Sequence, residues 1–377
     1  MKVLLSHYPV VMSGGAERGI LALAVGLRRM GHDIYLYGPW SDCPQFVAVA
    51  EQAGIPVILP KRRNYVMEGL QTRRICKSFN VDVILSSSRR YNVISALSTA
   101  GLATVSVPVL HGLFSSWDSM RPLTFMRRRA VSVARMLWWL ILKKAPIIVC
   151  VSEAVAQDAR KAFRRSDGTT PVIYNAIERD LEVGHGYGKS GLPFTLLLVG
   201  RLHKEKRPEL VVPLMQEVLK KHDDIIAQIA GEGEERSHLE ALITSAGLGA
   251  QVRLLGHCEE MGKLYRSSHV LVHFRTDEGF GRAYLEAQMN RIPVVCSSGG
   301  AAAEVVVHGK TGYLHDPDDI VGMAESIIAL KQNRAKYDVM CDNAEVWSRQ
   351  FSFPRMLEQY EQLLERLTGQ EARKRGR

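Results

Sequence analysis

The residues best placed to do chemistry are Glu278-Gly279-Phe280-Gly281-Arg282-Ala283-Tyr284-Leu285-Glu286, two carboxylates eight residues apart across a Gly-x-Gly turn. A helix opening at that turn puts Glu278 in the loop at its mouth and Glu286 two turns along. Glycines free backbone amides for a phosphate, and each carboxylate can accept hydrogen bonds from sugar hydroxyls. Upstream, Gly200-Arg201 is followed by Lys204, Lys206 and Arg207. Cations just past a strand end can neutralise a diphosphate, arginine through two parallel hydrogen bonds; a solvated basic loop is the competing reading. Near the start of the chain, Ser13-Gly14-Gly15-Ala16-Glu17 leads directly into a helix pattern. It offers another set of amides to an anion, although it is neither a GxGxxG fingerprint nor a P-loop.

Metal chemistry finds little support. Asp316-Pro317-Asp318 satisfies the letter of a DxD motif but reads as a helix cap, and the twelve histidines show no HExxH or paired ligand spacing. No metal or other cofactor is expected. The six cysteines, at 43, 76, 150, 258, 296 and 341, include no CxxC and read as reduced thiols, mostly in the core.

These candidates must be held by a scaffold, and its pattern is regular. Lys2–Tyr8, Asp33–Tyr37, Pro56–Leu59, Val81–Leu85, Ala103–Leu110 and Pro146–Val151 read as strands, alternating with helices such as the one marked by Ile20, Leu23, Leu27 and Met30. A polar stretch at about 178–193, with Gly184, Gly186, Gly188 and Gly191, reads as a linker. The alternation then restarts with strands at Phe194–Val199, Ile225–Ala230, Val252–Leu255, Val270–Phe274 and Pro293–Cys296, and a helix spans Phe353–Leu367. Alternation of this kind predicts α/β architecture: two Rossmann-like, doubly wound domains whose strand C-termini face a central cleft.

Length and composition agree with that picture. The chain has 377 residues, of which 46% are hydrophobic and 23% charged, the usage of an ordinary globular protein of two domains. Its longest apolar run, Met136–Leu142, is seven residues, far short of the roughly 20 that span a bilayer as a helix. Only Val3, Leu4 and Leu5 precede Ser6, too few for a secretory signal, so a cytoplasmic location is expected. Charge is asymmetric: residues 1–176 hold 23 Lys+Arg against 10 Asp+Glu, or +13, which leaves 26 against 29, or −3, for the rest. A basic first half points to anionic partners, whether nucleic acid, anionic lipid or sugar phosphates. No nucleic-acid-binding signature accompanies it, so no specific nucleic-acid partner is expected.

With these motifs in hand, the Glu278–Glu286 stretch resembles the Glu-x7-Glu signature of the retaining glycosyltransferases of family 4, which have the two-Rossmann-domain GT-B fold. The Gly14-Gly15 loop, His111-Gly112, Val149–Val155, Gly200-Arg201 with Lys206, Ala230–Gly233, and Gly299-Gly300 with Glu304, Gly309 and Gly312 are similar to that family's pattern in the same order. Asn175-Ala176-Ile177 departs from it, since many members carry Asn-Gly before the linker. The resemblance implies an acceptor-side domain at 1–177, against which a helix at about 353–377 packs back, and a nucleotide-sugar domain at 178–352. It also implies that a sugar passes with retention from a nucleotide-diphosphate donor, a UDP-sugar first, to a hydroxyl of a lipid-linked or lipopolysaccharide-type glycan. By resemblance, His111, Arg201, Lys206 and Glu278 carry catalysis, while Gly14, Gly15, Gly200, Phe280, Gly281, Leu285 and Glu286 bind the donor. A sugar-nucleotide epimerase of the same architecture, and a transferase acting on a soluble small acceptor, are the alternatives.

The basic half suggests where a glycolipid acceptor is met. Between Arg121 and Lys144 lie seven cations and no acid, ending in Met136–Leu142. Val131, Ala134, Trp138 and Ile141 form one helical stripe; Trp139 and Leu140 must either meet another part of the protein or emerge beside Arg127, Arg128 and Arg129. The second case predicts peripheral contact with an anionic membrane, on the inner face of a bacterial cytoplasmic membrane. A buried helix with a solvated basic start is the competing reading.

Overall fold

The computed structural model describes residues 1–7, 15–40, 44–61, 64–115, 136, 138–178 and 193–375. Gly14, Arg127, Arg128, Arg129 and the 184–191 glycines lie outside them. The chain forms two compact units: Met1–Ala176 with Phe353–Arg377, and Ile177–Ser352.

In the first unit, β1 (Lys2–His7), β2 (Asp33–Tyr37), β3 (Val57–Ile58), β4 (Val83–Ser87), β5 (Val105–Leu110) and β6 (Val149–Cys150) form a parallel sheet in the order β3-β2-β1-β4-β5-β6. The second unit repeats the plan. There β7 (Phe194–Val199), β8 (Ile225–Ala230), β9 (Val252–Gly256), β10 (Val270–His273), β11 (Val294–Ser297) and β12 (Gly312–His315) run in the order β12-β11-β10-β7-β8-β9. Numbered within each unit, both sheets read 3-2-1-4-5-6, the doubly wound Rossmann order. Near-continuous apolar strands such as Val3-Leu4-Leu5 and Leu196-Leu197-Leu198 suit a sheet covered on both faces, and all six residues are buried.

Helices complete each unit through narrow apolar stripes. In Gly15–Arg29, Ile20, Leu23 and Leu27 are buried. Met30, expected to extend that stripe, lies past the helix end and is exposed, because the chain turns at Gly31 into β2. The last helix, Phe353–Arg375, buries Met356, Tyr360, Leu363, Leu364 and Leu367 within the first unit. Its Leu357 side chain lies so close over Gly26 that a Cβ there would come within 2.5 Å. Glu361 on the same helix contacts His32.

Two other expectations need correction. Strand β12 was not anticipated: at four residues, opened by a glycine and with only Gly312 fully buried, it carries too short an apolar signal. Asp316 and Asp318 do not cap the helix Ile320–Gln332; Asp319 does, its carboxylate accepting from the Gly322 amide at 2.9 Å. Asp318 instead pairs with Arg207 at 2.6 Å, which takes that arginine into the framework.

Candidate active site

Ligands of open α/β sheets bind beyond the strand C-termini where the strand order reverses. In the second unit that point lies between β7 and β10. Gly200 and Arg201 leave β7 and lead into a short 3-10 turn, Lys204–Lys206, while β10 ends on His273 and passes into the Glu278–Gly281 loop. The topology therefore brings the two separately legible motifs together: Lys206 Nζ lies 2.6 Å from Glu278 Oε2. Lys206 borders a solvent-open pocket together with Gly200, Arg201 and His273.

Backbone packing fixes both loops. The Gly200 amide donates to Ala230 and the Leu202 amide to Glu232. A Cβ on Gly231 would sit 1.9 Å from the Gly200 carbonyl oxygen, so only glycine lets these two loops approach. The Glu278 carbonyl accepts from the Ala301 amide at 2.8 Å, and a Cβ on Gly300 would come within 2.2 Å of that oxygen. Gly281 takes the N-cap position of the helix Arg282–Met289 and accepts the first helical bond, from Tyr284.

Electrostatics at the pair are set by burial and by the groups packed around it. Burial works against the Glu278 carboxylate, but Lys206, Arg275 and His273 outweigh it and hold the group well below the usual carboxylate range. Arg275 reaches Asp277 at 2.6 Å and Glu205 at 3.5 Å. Burial opposes its charge, yet Glu278, Glu205 and Asp277 keep the guanidinium fully protonated. His273 is pulled down to about 3, first by burial and then by Lys206. Its Nδ1 receives the Arg275 amide at 3.3 Å and lies 2.9 Å from the Tyr284 hydroxyl. An amide can only donate, so Nδ1 accepts that bond, while Nε2 lies 3.5 Å from Lys206 Nζ and 3.9 Å from Glu278 Oε2. Neither His273 nor Arg275 was singled out from the sequence. Their signal was a titratable residue at the C-terminal end of an apolar strand.

The remaining expected residues separate into two groups. Arg201 is half-exposed, 4.0 Å from Glu205, and can turn toward an anion. Glu286 is buried, Oε1 held by Arg282 and Oε2 by the Tyr265 hydroxyl, both at 2.7 Å. Phe280 and Leu285, also expected at the donor, turn their side chains into the core. Phe280 is buried edge-on against Phe351, and Leu285 has no exposed surface.

In the first unit the equivalent switch point lies between β1 and β4. His7 ends β1, and its Nδ1 meets the Ser87 carbonyl at the end of β4 at 2.9 Å; Nε2 faces Glu17, in the first turn of the helix that Gly15 opens, at 3.5 Å. His111 follows β5 and borders a pocket with Ser6, Gly19, Ser87, Asn175 and Tyr360. It is pulled down to about 4, first by burial and then by His7, with Glu17 acting in the opposite direction. Gly15 thus stands at the mouth of the same sheet edge as His111. Among the described residues no cluster of three or more His, Cys, Asp or Glu could hold a metal ion.

Trp139 meets another part of its own unit. Its indole N–H donates to the Ala162 carbonyl at 2.8 Å, and Lys143 covers the ring at 4.7 Å. Its indole N–H is therefore committed to the protein, the first of the two cases that its helical position left open. Trp138 is buried, while Met136 and Leu140 are exposed. Among the described residues no helix is long and apolar enough to cross a membrane.

Comparison with known proteins agrees with this geometry. Residues 13–181 match the family described as Glycosyltransferase Family 4, and residues 186–347 match Glycosyl transferases group 1. The chain belongs to the family 4 glycosyltransferases. An uncharacterized glycosyltransferase of Haemophilus influenzae is 23% identical over 359 residues, 93% of this transferase and 96% of that protein. Other matches are partial. An uncharacterized glycosyltransferase of Methanocaldococcus jannaschii is 29% identical over 48% of this chain, which spans half the length of that protein. The lipopolysaccharide core biosynthesis mannosyltransferase LpcC of Rhizobium leguminosarum is 34% identical over 38% of this transferase and 42% of its own length. The crystal structure of Anabaena HepE in complex with UDP superposes with a TM-score of 0.82 over 97% of this chain and 100% of that one, at 21% identity, a likeness of GT-B fold.

Proposed function

We propose that this glycosyltransferase moves a sugar from a nucleotide-diphosphate donor, a UDP-sugar, to a hydroxyl of a lipid-linked or lipopolysaccharide-type glycan, with retention at the anomeric carbon. The observation that carries the reading is the Lys206–Glu278 pair at the switch point beside the Gly281 helix mouth. Its cation suits a leaving diphosphate, and its ionised carboxylate accepts hydrogen bonds from sugar hydroxyls. Arg201 adds a second, movable cation. A carboxylate has about four acceptor sites, so Glu286 can take a ribose hydroxyl in addition to Arg282 and Tyr265. His111, neutral at physiological pH, serves as an uncharged hydrogen-bond partner for a sugar hydroxyl.

Departure of the diphosphate leaves an oxocarbenium-like sugar. The leaving phosphate oxygen takes the acceptor hydroxyl proton as the new C–O bond forms on the same face, and no metal is needed once Lys206 and Arg201 balance the charge. The HepE complex with UDP supports the donor reading, and the similarity to LpcC supports the acceptor reading. A lipid-linked acceptor places the enzyme peripherally on the inner face of a bacterial cytoplasmic membrane.

The test is a thermal-shift screen of nucleotide sugars. A true donor at 100 times its dissociation constant adds about 2.7 kcal/mol of stability. Stabilisation by no nucleotide-diphosphate sugar overturns the donor assignment, and an inverted anomer in the product, read by NMR, overturns retention.

A further inference from the structure

The helix Tyr65–Phe79 begins inside out. Its first two turns bury a carboxylate, Glu68, which Arg90 holds with two hydrogen bonds of 2.8 and 3.1 Å. The apolar side chains Tyr65, Val66, Met67 and Leu70 face outward, with Val66 72% and Leu70 49% exposed. An ordinary surface helix has the opposite polarity. Further along, the same helix returns to normal and buries Thr72, Ile75 and Cys76. The inversion is thus confined to one end, and a contiguous apolar patch of that kind marks an interaction surface.

Charge identifies what the surface meets. Residues 55–117 contain eight Lys+Arg and two Asp+Glu. Of the two acids, Glu68 is consumed by Arg90, and Asp82 accepts the Lys2 amide at the opposite end of the sheet, before β4. Arginines also flank the patch. Arg90 covers the Tyr65 ring at 4.2 Å, and its neighbour Arg89 covers Trp138 at 5.7 Å. Met136 and Leu140, also exposed, lie in the acid-free basic stretch 121–144 of the same unit.

We infer that Val66, Met67 and Leu70, at the exposed helix start on the basic first unit, form a surface that enters the headgroup layer of an anionic lipid bilayer. Apolar side chains bury at the acyl boundary while the surrounding cations meet lipid phosphates. This deepens the lipid-linked acceptor reading, on which it rests, and moves the membrane contact from Trp139 to the start of the Tyr65–Phe79 helix.

The experiment is flotation of the full chain on phosphatidylcholine vesicles with and without about 30% phosphatidylglycerol, at low salt. The wild type is expected to float with the anionic vesicles only. Val66→Asp with Leu70→Asp should cut the floated fraction about tenfold, and the milder Val66→Ser with Leu70→Ser should lie between, with melting temperature and UDP binding unchanged in both. Equal flotation of the aspartate variant, or a wild type that stays in solution, overturns the inference. So does a wild-type dimer that the aspartate pair converts to monomer, because a second copy then covers the patch. UDP binding is read separately: its absence in a wild type that floats would overturn the donor reading and leave this surface standing.

Discussion

Lys206 Nζ and Glu278 Oε2, 72 residues apart in sequence, meet at 2.6 Å where β7 and β10 end side by side. Lys206 is 21% exposed and Glu278 15%, and the charge of Arg275 also favours the ionised carboxylate. A lysine in this position is held in place before any donor arrives, so little ordering remains to be done when the diphosphate binds.

Lys206→Ala and Arg201→Ala should each lower turnover at least tenfold with the fold intact. Each removes a cation from the leaving group, a loss of about 2 to 4 kcal/mol by analogy with a single oxyanion-hole donor. Lys206→Ala should also destabilise the second unit, because it strands a buried carboxylate; Arg201, half-exposed, should leave stability unchanged. Steady-state kinetics and thermal melts distinguish the two. Near-normal turnover in either variant rejects its role.

Much of this arrangement was legible before any fold was known. Strand and helix alternation identified both doubly wound units, because buried parallel strands carry strong apolar runs. The Gly200–Lys206 and Glu278–Glu286 motifs were legible from residue type and spacing. Their meeting was not, since it depends on strand order, which places β10 next to β7. His273 and Arg275 escaped notice for the same reason: a single histidine at a strand end gains meaning only when Lys206 and Tyr284 are seen around it. The partner of Trp139 was not legible either, because periodicity specifies which residues share a face but not that Ala162 supplies a carbonyl to the indole.

Stability should fall on acidification, with His273 responsible for part of it. Its pKa is near 6.5 unfolded and about 3 folded, so below pH 6.5 the unfolded chain binds a proton that the native ring refuses. Stability therefore rises with pH between about 3 and 6.5. Glu278 acts in the same direction: held low in the native state, it contributes stability that is fully present above its unfolded value and lost as pH falls. Between pH 6.5 and 4.5 the His273 contribution is on the order of 2 kcal/mol. In calorimetric melts, His273→Gln should lose less stability over that interval than the wild type. An equal loss in both proteins contradicts burial of a neutral ring.

Activity should survive EDTA. The charge that a divalent cation would balance is met by Lys206 and Arg201, and among the described residues no acidic or histidine cluster is arranged as a metal site. The decisive observation is turnover with a confirmed donor and acceptor before and after chelation. Complete loss that magnesium or manganese restores rejects metal-free transfer.

Glu286 separates binding from chemistry. Its carboxylate is locked from two sides, Oε1 to Arg282 and Oε2 to Tyr265, so its position is set before the nucleotide arrives. A ribose contact is made equally in the ground state and the transition state, so losing it weakens donor binding without slowing the chemical step. Glu286→Gln should raise the donor dissociation constant about tenfold, about 1.4 kcal/mol, with turnover at saturating donor within about threefold of wild type. Tyr265→Phe tests the lock rather than the ligand. It removes one hydrogen bond to Glu286 and leaves its charge, so donor affinity should fall less than in Glu286→Gln. Titration calorimetry with the nucleotide alone, set beside steady-state turnover, reads both quantities. If Glu286→Gln leaves donor affinity unchanged and turnover collapses, Glu286 acts in the chemical step and the ribose assignment fails.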